Sequence, residues 1–473
     1  MKFSELRDKT VLILGLGVEG RSTWRFLRRL FPYKQLGLAD RLRLEQMPLA
    51  VQQEIESDAC LQLHLGDMYL ASLAQYDVII KSPGISIKVP EYQRAVAAGK
   101  QITSQTALFF ANAEGTIIGI TGTKGKSTTS ALIYTILKRV FPRTQLVGNI
   151  GVPPLDLLGN VEQGTGTSEN QKSPIYVYEL SSHQLEGLRQ SPHIAVLLNI
   201  VPEHLDYYES FEQYVAAKEN ITRFQAEMDF LVYDSDHDLP RRIAARSKAR
   251  GIACSLESEP APGCFVHGES LVYRPETGAE ERLLSTREVP LLGRFNLINV
   301  AAAAAAAKLG GAPAHAIAEG VRNFRPLEHR LEYAGEYGGV KYYNDSIATV
   351  PEATIAALDT LGDGVQTILL GGTDRGLDFR LLAARLLHGD VKTVILFPPS
   401  GERIWSAVEQ QNAASGALPR HFFVGSMEEA VVLAKEHTAK GKICLLSPSS
   451  PSFGLFRDYR ERGAAFKRLV REP

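Results

Sequence analysis

The stretch Thr121-Gly122-Thr123-Lys124-Gly125-Lys126-Ser127-Thr128 holds the residue types that phosphate chemistry requires. Glycines let backbone N–H groups approach a phosphate, an ammonium such as that of Lys126 neutralises β- and γ-phosphates, and a hydroxyl such as that of Ser127 can hold Mg²⁺. The loop departs from the strict P-loop in having Ile120 where the first glycine would stand. A second segment, Gly15-Leu16-Gly17-Val18-Glu19-Gly20, matches the dinucleotide fingerprint, and Asp40 closes the strand that follows. Its glycines would bring backbone N–H groups to a pyrophosphate at a helix N-terminus, without specifying which nucleotide. A tight, ligand-free strand–helix turn is the structural alternative. Two phosphate loops in separate parts of the chain predict two nucleotide-bearing ligands.

Such loops need strands before them and helices after them. Residues 10–14 form a short apolar, β-branched run, a helical stretch covers 20–30, and 35–39 and 77–80 read as further buried strands. The pattern restarts with a strand at 116–120, a helix at 127–140 and strands at 175–180 and 195–200. Segment 159–173 is polar and reads as an exposed loop. Residues 254–290 alternate β-like runs with Gly and Pro, which predicts a small antiparallel patch. The alanine run 301–307 follows Asn296 and Asn299 and stops at Gly310-Gly311, the pattern of a tightly packed helix. After Arg325-Pro326-Leu327 the alternation starts a third time, with strands at 367–370, 393–397 and 443–446. Three restarts predict three α/β domains.

Composition narrows the function. The chain of 473 residues carries 52 Lys and Arg against 53 Asp and Glu, so no basic field points to nucleic acid. Apolar residues make up 44% and charged residues 22%, as in a globular protein. Cys60, Cys254, Cys264 and Cys444 lack zinc-site spacing and read as reduced thiols of a cytoplasmic protein. The N-terminus has no signal-peptide pattern, and no apolar run reaches bilayer length, so no membrane partner is expected.

Carboxylate activation by ATP brings negative charge towards negative charge, and cations must neutralise both. Glu179 ends a buried strand, where a carboxylate is costly unless it holds a cation. A lone histidine such as His204 is more often structural, but its place after a strand, in Pro202-Glu203-His204-Leu205-Asp206, favours ligation. Lys218, in the helical stretch 214–221, reads by itself as a solvated helix lysine.

These motifs, in this order, resemble the Mur ligase superfamily. The resemblance is carried by the Gly-Thr-Lys-Gly-Lys-Ser loop, Gly148-Asn149-Ile150-Gly151, Glu179-Leu180-Ser181-Ser182-His183-Gln184-Leu185, residues 199–206, Ala217-Lys218, Asn296 with Asn299, His329-Arg330, Asn344-Asp345-Ser346 and Ser447-Pro448. It implies a Rossmann-like UDP-sugar domain at 1–104, a P-loop-type ATP domain at 105–327 and a Rossmann-like amino-acid domain at 328–473. It further implies an ATP-dependent ligase of peptidoglycan precursor synthesis that joins glutamate to UDP-N-acetylmuramoyl-L-alanine, acting as a monomer.

On this resemblance Gly15, Leu16, Gly17, Val18, Asp40, Arg41, Ser82, Pro83, Gly84, Asn149, Ser181, Gln184 and His204 would hold the UDP-sugar. Gly122, Thr123, Lys124, Gly125, Lys126, Ser127 and Thr128, with Asn296, Asn299, Arg330 and Asp345, would hold ATP. Lys126, Glu179, His204 and Lys218 are the expected catalytic group. Two Mg²⁺ would be held by Ser127, Glu179, His204 and Lys218, the lysine being N6-carboxylated. Thr349, Arg375, Ser452 and Tyr459 would hold the amino acid.

Three positions depart from the family pattern. Ile347 stands where a lysine is expected, Arg375 replaces a glutamate-binding lysine, and Tyr459 replaces a phenylalanine. Arg keeps a cation but offers a planar fork, so an acidic amino acid is expected as D-glutamate, with L-glutamate the alternative. The rival from another class is an NAD-binding dehydrogenase or regulator. It accounts for Gly15 to Asp40 but leaves the second loop, Glu179 and Lys218 without work.

Overall fold

The computed structural model describes residues 1–158, 173–204, 207–412 and 418–472. The expected loop 159–173 lies outside the described residues except for Ser173, and so do Leu205 and Asp206 of the 199–206 motif. The chain forms two compact units. One comprises Met1–Val289 with Leu297–Phe324, the other Pro290–Asn296 with Arg325–Pro473.

The first sheet grows from β1 (Val11–Leu14), whose four residues are all buried, as an uninterrupted apolar strand inside a parallel sheet must be. It lies between β2 (Leu36–Asp40) and β4 (Val78–Lys81), and β3 (Leu61–Leu65) and β5 (Gln101–Ser104) add parallel edges in the order β3-β2-β1-β4-β5. The two edge strands were not expected. Leu61–Leu65 alternates polar with apolar and Gln101–Ser104 is mostly polar, so neither shows the apolar run of a central strand. The first helix, Val18–Leu30, begins two residues earlier than its apolar pattern suggests, because Gly17 serves as its N-cap.

The second sheet of the same unit contains β6 (Thr116–Thr121), β7 (Thr144–Gly148), β8 (Ile175–Glu179), β9 (Ile194–Leu197), β10 (Phe230–Asp234), β11 (Arg250–Ser255), β12 (Gly263–His267), β13 (Ser270–Arg274) and β14 (Glu281–Ser285). Their order is β14-β13-β12-β11-β10-β9-β6-β8-β7. The strands from β7 to β12 run parallel, and β12, β13 and β14 form the antiparallel patch expected from the Gly/Pro punctuation. One hydrophobic cluster runs from Val11 and Ile13 to Tyr178 and Leu197, so the two sheets share a core. Helix Gln105–Asn112 joins them: Phe109 meets Tyr176 and Tyr178 edge-on, with ring centroids 5.0 and 5.7 Å apart. Alanines 301–307 of helix Phe295–Leu309 are fully buried, since small side chains let neighbouring elements come close.

The second unit carries β15 (Glu332–Tyr337), β16 (Val340–Asn344), β17 (Val365–Gly371), β18 (Thr393–Phe397), β19 (Arg420–Phe423) and β20 (Ile443–Leu446) in the order β15-β16-β20-β17-β18-β19. Among the described residues of this sheet, only the β15–β16 pair is antiparallel. In each sheet a Gly-rich loop follows the strand at which the chain order reverses. These strands are β1 between β2 and β4, β6 between β8 and β9, and β17 between β18 and β20. Ligands of open α/β sheets bind outside the carboxyl ends of strands at such switch points.

Candidate nucleotide-binding and ligase site

The first loop is held open by its neighbours. Gly15 has φ +91°, and a Cβ on Gly20 would lie 1.8 Å from the carbonyl oxygen of Gly15, so the helix can approach only as glycine. Asp40 accepts hydrogen bonds from the Leu16 N–H at 2.6 Å and the Leu42 N–H at 2.8 Å. Its carboxylate therefore pins the loop after β1 to the end of β2. Ser82 donates to the Gly15 carbonyl at 2.8 Å, which brings the Ser82-Pro83-Gly84 turn against the same loop. Val18 and Arg41 are exposed beside it. From the second sheet, Gln184 reaches this loop through its side-chain N–H₂, which donates to Glu19 at 2.6 Å. Ser181 caps helix Ser182–Leu185, its backbone N–H and hydroxyl donating to the Gln184 side-chain oxygen. Asn149 follows β7 and donates its backbone N–H to the Glu179 carbonyl at 3.2 Å. The UDP-sugar residues expected from sequence in the first two sheets thus flank β1 and β8.

The second loop follows β6 and opens helix Lys126–Val140. Gly125 sits at φ +85°, and a Cβ there would meet the side-chain oxygen of Asn299 at 2.2 Å. Asn299 is buried against this loop, with Thr129 donating to it at 3.4 Å. Asn296 lies one turn earlier on helix Phe295–Leu309, in the other compact unit, and donates to the Leu292 carbonyl at 2.6 Å. Lys126 folds its ammonium back onto the carbonyls of Gly122 and Thr123, at 3.0 and 2.8 Å. Thr123 is buried, and its hydroxyl bonds Val201 and the Tyr214 hydroxyl, each at 3.0 Å. Lys124 pairs with Glu203 at 2.7 Å. Burial raises the Glu203 carboxyl, but Lys124, Lys126 and His204 outweigh it and hold it below its usual range. Thr128 is buried in the first turn of the helix, and Ser127 is half-buried there.

Glu179 and Lys218 converge on the same loop. Glu179 ends β8 in register with Ile120, is 1% exposed, and has one side-chain oxygen, Oε2, without a hydrogen-bond partner. A buried, orphaned carboxylate oxygen beside a phosphate loop fits a cation ligand. Lys218 on helix Phe211–Arg223 is also 1% exposed, and its ammonium nitrogen donates to the Gly122 carbonyl at 2.7 Å. This overturns the solvated-lysine reading: the helix turns that residue inward, and a four-carbon stem carries the amine to the loop. Burial, with Lys126 and Lys124 nearby, pushes the amine well below the lysine range against the pull of Glu203 and Glu179. An uncharged amine is the form that can add CO₂ and become an oxygen ligand. His204 has a left-handed φ of 58°, a strained conformation for a non-glycine residue, and its ring lies 5.1 Å from that of His183. Among the described residues no three His, Cys, Asp or Glu side chains gather into a metal cluster. The expected ligand set instead mixes the Ser127 hydroxyl, the Glu179 carboxylate, the His204 imidazole and Lys218.

In the second unit, Asp345 is buried at the end of β16. Its oxygens accept from the Leu331 N–H at 3.0 Å and the Ser447 hydroxyl at 2.8 Å. Burial pushes its carboxyl up to about 6, against those two hydrogen bonds and Arg330. Arg330 keeps one buried N–H, Nε, unpartnered. Thr349 is half-buried, Arg375 is exposed on the loop after β17, and Ser452 is buried. Tyr459 opens helix Tyr459–Arg471 with its ring edge-on to His329 at 5.9 Å.

Sequence reasoning missed Arg462. It is 1% exposed, and its guanidinium bonds the Ser346 hydroxyl and carbonyl, the Ser450 carbonyl and the Gly371 carbonyl at 3.0, 2.8, 3.1 and 3.4 Å. Burial pushes it down to about 9. It ties together three loops at the carboxyl ends of β16, β17 and β20. Its place in the inward stripe with Phe466, Leu469 and Val470 was the available signal.

Three parallel-rich sheets with Gly-rich loops at their switch points, one of them lined by two lysines and a buried glutamate, define a multi-domain α/β protein built to handle nucleotide phosphates. Three family descriptions match in sequence: Mur ligase MurD-like N-terminal domain at residues 9–104, Mur ligase middle domain at 120–307 and Mur ligase glutamate ligase domain at 329–450. The chain belongs to the Mur ligase family. It is 37% identical over 468 residues to a UDP-N-acetylmuramoylalanine–D-glutamate ligase of Acidobacterium capsulatum, covering 98% of this chain and 97% of that one. It is 38% identical over 407 residues to the enzyme of the same name from Symbiobacterium thermophilum, covering 86% of each. Two solved structures share the fold. One is the UDP-N-acetylmuramate-alanine ligase of Thermotoga maritima, with TM-score 0.57, 17% identity and 98% of both chains covered. The other is the MurF ligase of that organism in complex with ADP, with TM-score 0.57, 17% identity and 99% and 96% covered. No helix among the described residues is long and apolar enough to cross a membrane.

Proposed function

We propose that this protein is an ATP-dependent ligase that adds D-glutamate to UDP-N-acetylmuramoyl-L-alanine in the cytoplasm, releasing ADP and phosphate. The observation that carries the reading is the convergence of Lys126, the buried Lys218 amine and the orphaned Glu179 oxygen on the loop after β6. The full-length relatives named as D-glutamate ligases support the choice of substrates. Domains at 1–104, 105–327 and 328–473 would bind the UDP-sugar, ATP and the amino acid.

Backbone N–H groups of Gly122 to Thr128 would cradle the phosphates while Lys126 leaves its own loop carbonyls to meet them. Bound Mg²⁺, held by Ser127, Glu179, His204 and carboxylated Lys218, would neutralise the γ-phosphate and the incoming carboxylate. Gly15, Leu16, Gly17 and Ser82, with Asn149, Ser181 and Gln184, would hold the UDP-sugar so that its carboxylate lies in line with the γ-phosphate. Asn299 and Asn296 would receive the adenine, and Arg330 and Asp345 the phosphates and ribose. The carboxylate attacks the γ-phosphorus, ADP leaves, and the amine of glutamate attacks the acyl phosphate. The resulting tetrahedral intermediate expels phosphate as the amide forms.

Arg375 and Ile347 favour a second reading, L-glutamate on the same UDP-sugar, because a planar guanidinium without the neighbouring lysine presents a different carboxylate site. Amide formation measured separately with D- and L-glutamate decides between them. No product with either enantiomer refutes the ligase reading, and appreciable NAD binding would favour the rival.

A further inference from the structure

We propose that Glu19 works as a neutral carboxylic acid whose proton bridges to the side-chain oxygen of Gln105, and that this buried bridge positions Gln184 and the first glycine loop for the UDP-linked substrate. The inference rests on the reading of that loop as the UDP-sugar site.

Two buried oxygens lack partners here: Oε2 of Glu19 and Oε1 of Gln105. Both residues line one narrow crevice whose free space leaves no room for a water molecule. The orientation of each amide is settled by its other contacts. Gln105 directs its N–H₂ to the Glu19 carbonyl, Ser22 and Thr23 at 3.0, 3.0 and 3.2 Å, so its oxygen must face the crevice. Gln184 turns its oxygen to Ser181 and its N–H₂ to Glu19 Oε1 at 2.6 Å.

The other side-chain donors around the crevice are committed. Ser82 donates to Gly15 and Thr23 to the Glu19 carbonyl, both at 2.8 Å. Lys81 spends its ammonium on the carbonyls of Ile85, Ser82 and Pro83 at 2.7, 3.3 and 3.5 Å. One proton on Glu19 Oε2 supplies the missing donor and satisfies both oxygens.

The surrounding charges allow it. Lys81 comes from β4, Glu186 follows helix Ser182–Leu185, and the Tyr178 hydroxyl comes from β8. Burial raises the Glu19 carboxyl, and the Gln184 hydrogen bond and Lys81 do not cancel that rise. A neutral acid also suits the position: an ionised carboxylate two residues after Gly17 would repel a diphosphate approaching that loop.

The test compares Glu19→Gln with Glu19→Ala. Glutamine keeps the acceptor for Gln184 and replaces the acid proton with an amide N–H. Glu19→Gln should hold the KM for UDP-N-acetylmuramoyl-L-alanine within about twofold of wild type at neutral pH, while Glu19→Ala raises it about tenfold with kcat less changed. Wild-type KM should rise at alkaline pH as Glu19 ionises, beyond any rise in Glu19→Gln. The titration of Lys81, lowered to about 8, is common to both. An infrared difference spectrum of wild type against Glu19→Gln should show one protonated-carboxyl band at neutral pH. Absence of that band, matching pH profiles, or a Glu19→Gln enzyme as impaired as Glu19→Ala overturns the proposal. Should the wild type fail to bind the UDP-sugar, the substrate reading fails, and the infrared band still reports the state of Glu19.

Discussion

Lys218 and Lys126 donate to the same backbone oxygen, that of Gly122, at 2.7 and 3.0 Å. After burial, the Lys126 ammonium on the same carbonyl is one reason the Lys218 amine is held well below its ordinary range, since it disfavours a second charge there. Either lysine leaves that carbonyl only if something else takes its charge or its hydrogen bond. In the proposed mechanism that is a phosphate for Lys126 and CO₂ for Lys218.

The lysine chemistry gives a first prediction. Turnover should fall when CO₂ is stripped from the buffer and recover on adding bicarbonate. Lys218→Met should lose that response and lower kcat about 10²-fold or more, as removal of a transition-state contact does. An enzyme indifferent to bicarbonate would argue that Lys218 acts as an amine.

Lys126→Ala removes the cation that would meet the β- and γ-phosphates. It should lower kcat about 10²-fold or more, with a smaller effect on the KM for the UDP-sugar, whose proposed site is the other loop. Steady-state kinetics with each substrate varied in turn measures both, and near-normal turnover would refute the role given to the loop.

Asp345 supplies a pH prediction. Its folded value of about 6 lies above the ordinary 3.8, so the folded state prefers the protonated acid. The stability this provides is complete below pH about 4, is lost as pH rises through about 6, and amounts to roughly 3 kcal/mol. Asp345→Asn should therefore raise the melting temperature at pH 7.5 and lose that advantage by pH 4. If Asp345 serves the nucleotide, the same variant should turn over more slowly at every pH.

Arg462→Met keeps the bulk of the side chain but leaves the Ser346, Ser450 and Gly371 oxygens without their donor. Stability should fall by about 2–4 kcal/mol, and the KM for glutamate should rise more than those for ATP or the UDP-sugar. Equal rises in all three would indicate a general folding defect, not a set of loops ordered for the amino acid.

Much of the architecture was legible because local physics spells it. Central strands such as Val11–Leu14 and Thr393–Phe397 are continuous apolar runs, and the loops at Gly15 and Gly122 are marked by glycines that no other residue can replace there. Edge strands such as Gln101–Ser104 were invisible, since one covered face and a neighbour's hydrogen bonds stabilise them more than their own residues do.

The amino-acid sequence by itself determined that this protein carries two glycine loops on α/β sheets, an ammonium and a hydroxyl set for phosphate, and the motif order of a Mur ligase. Only the tertiary structure decided that Lys218 is buried on Gly122, that Glu179 keeps an orphaned oxygen, that Glu19 and Gln105 line one narrow crevice, and that Arg462 ties three loops. Residue type and spacing specify chemistry that is local along the chain. Burial and unpartnered atoms arise where distant segments meet, and no spacing records them.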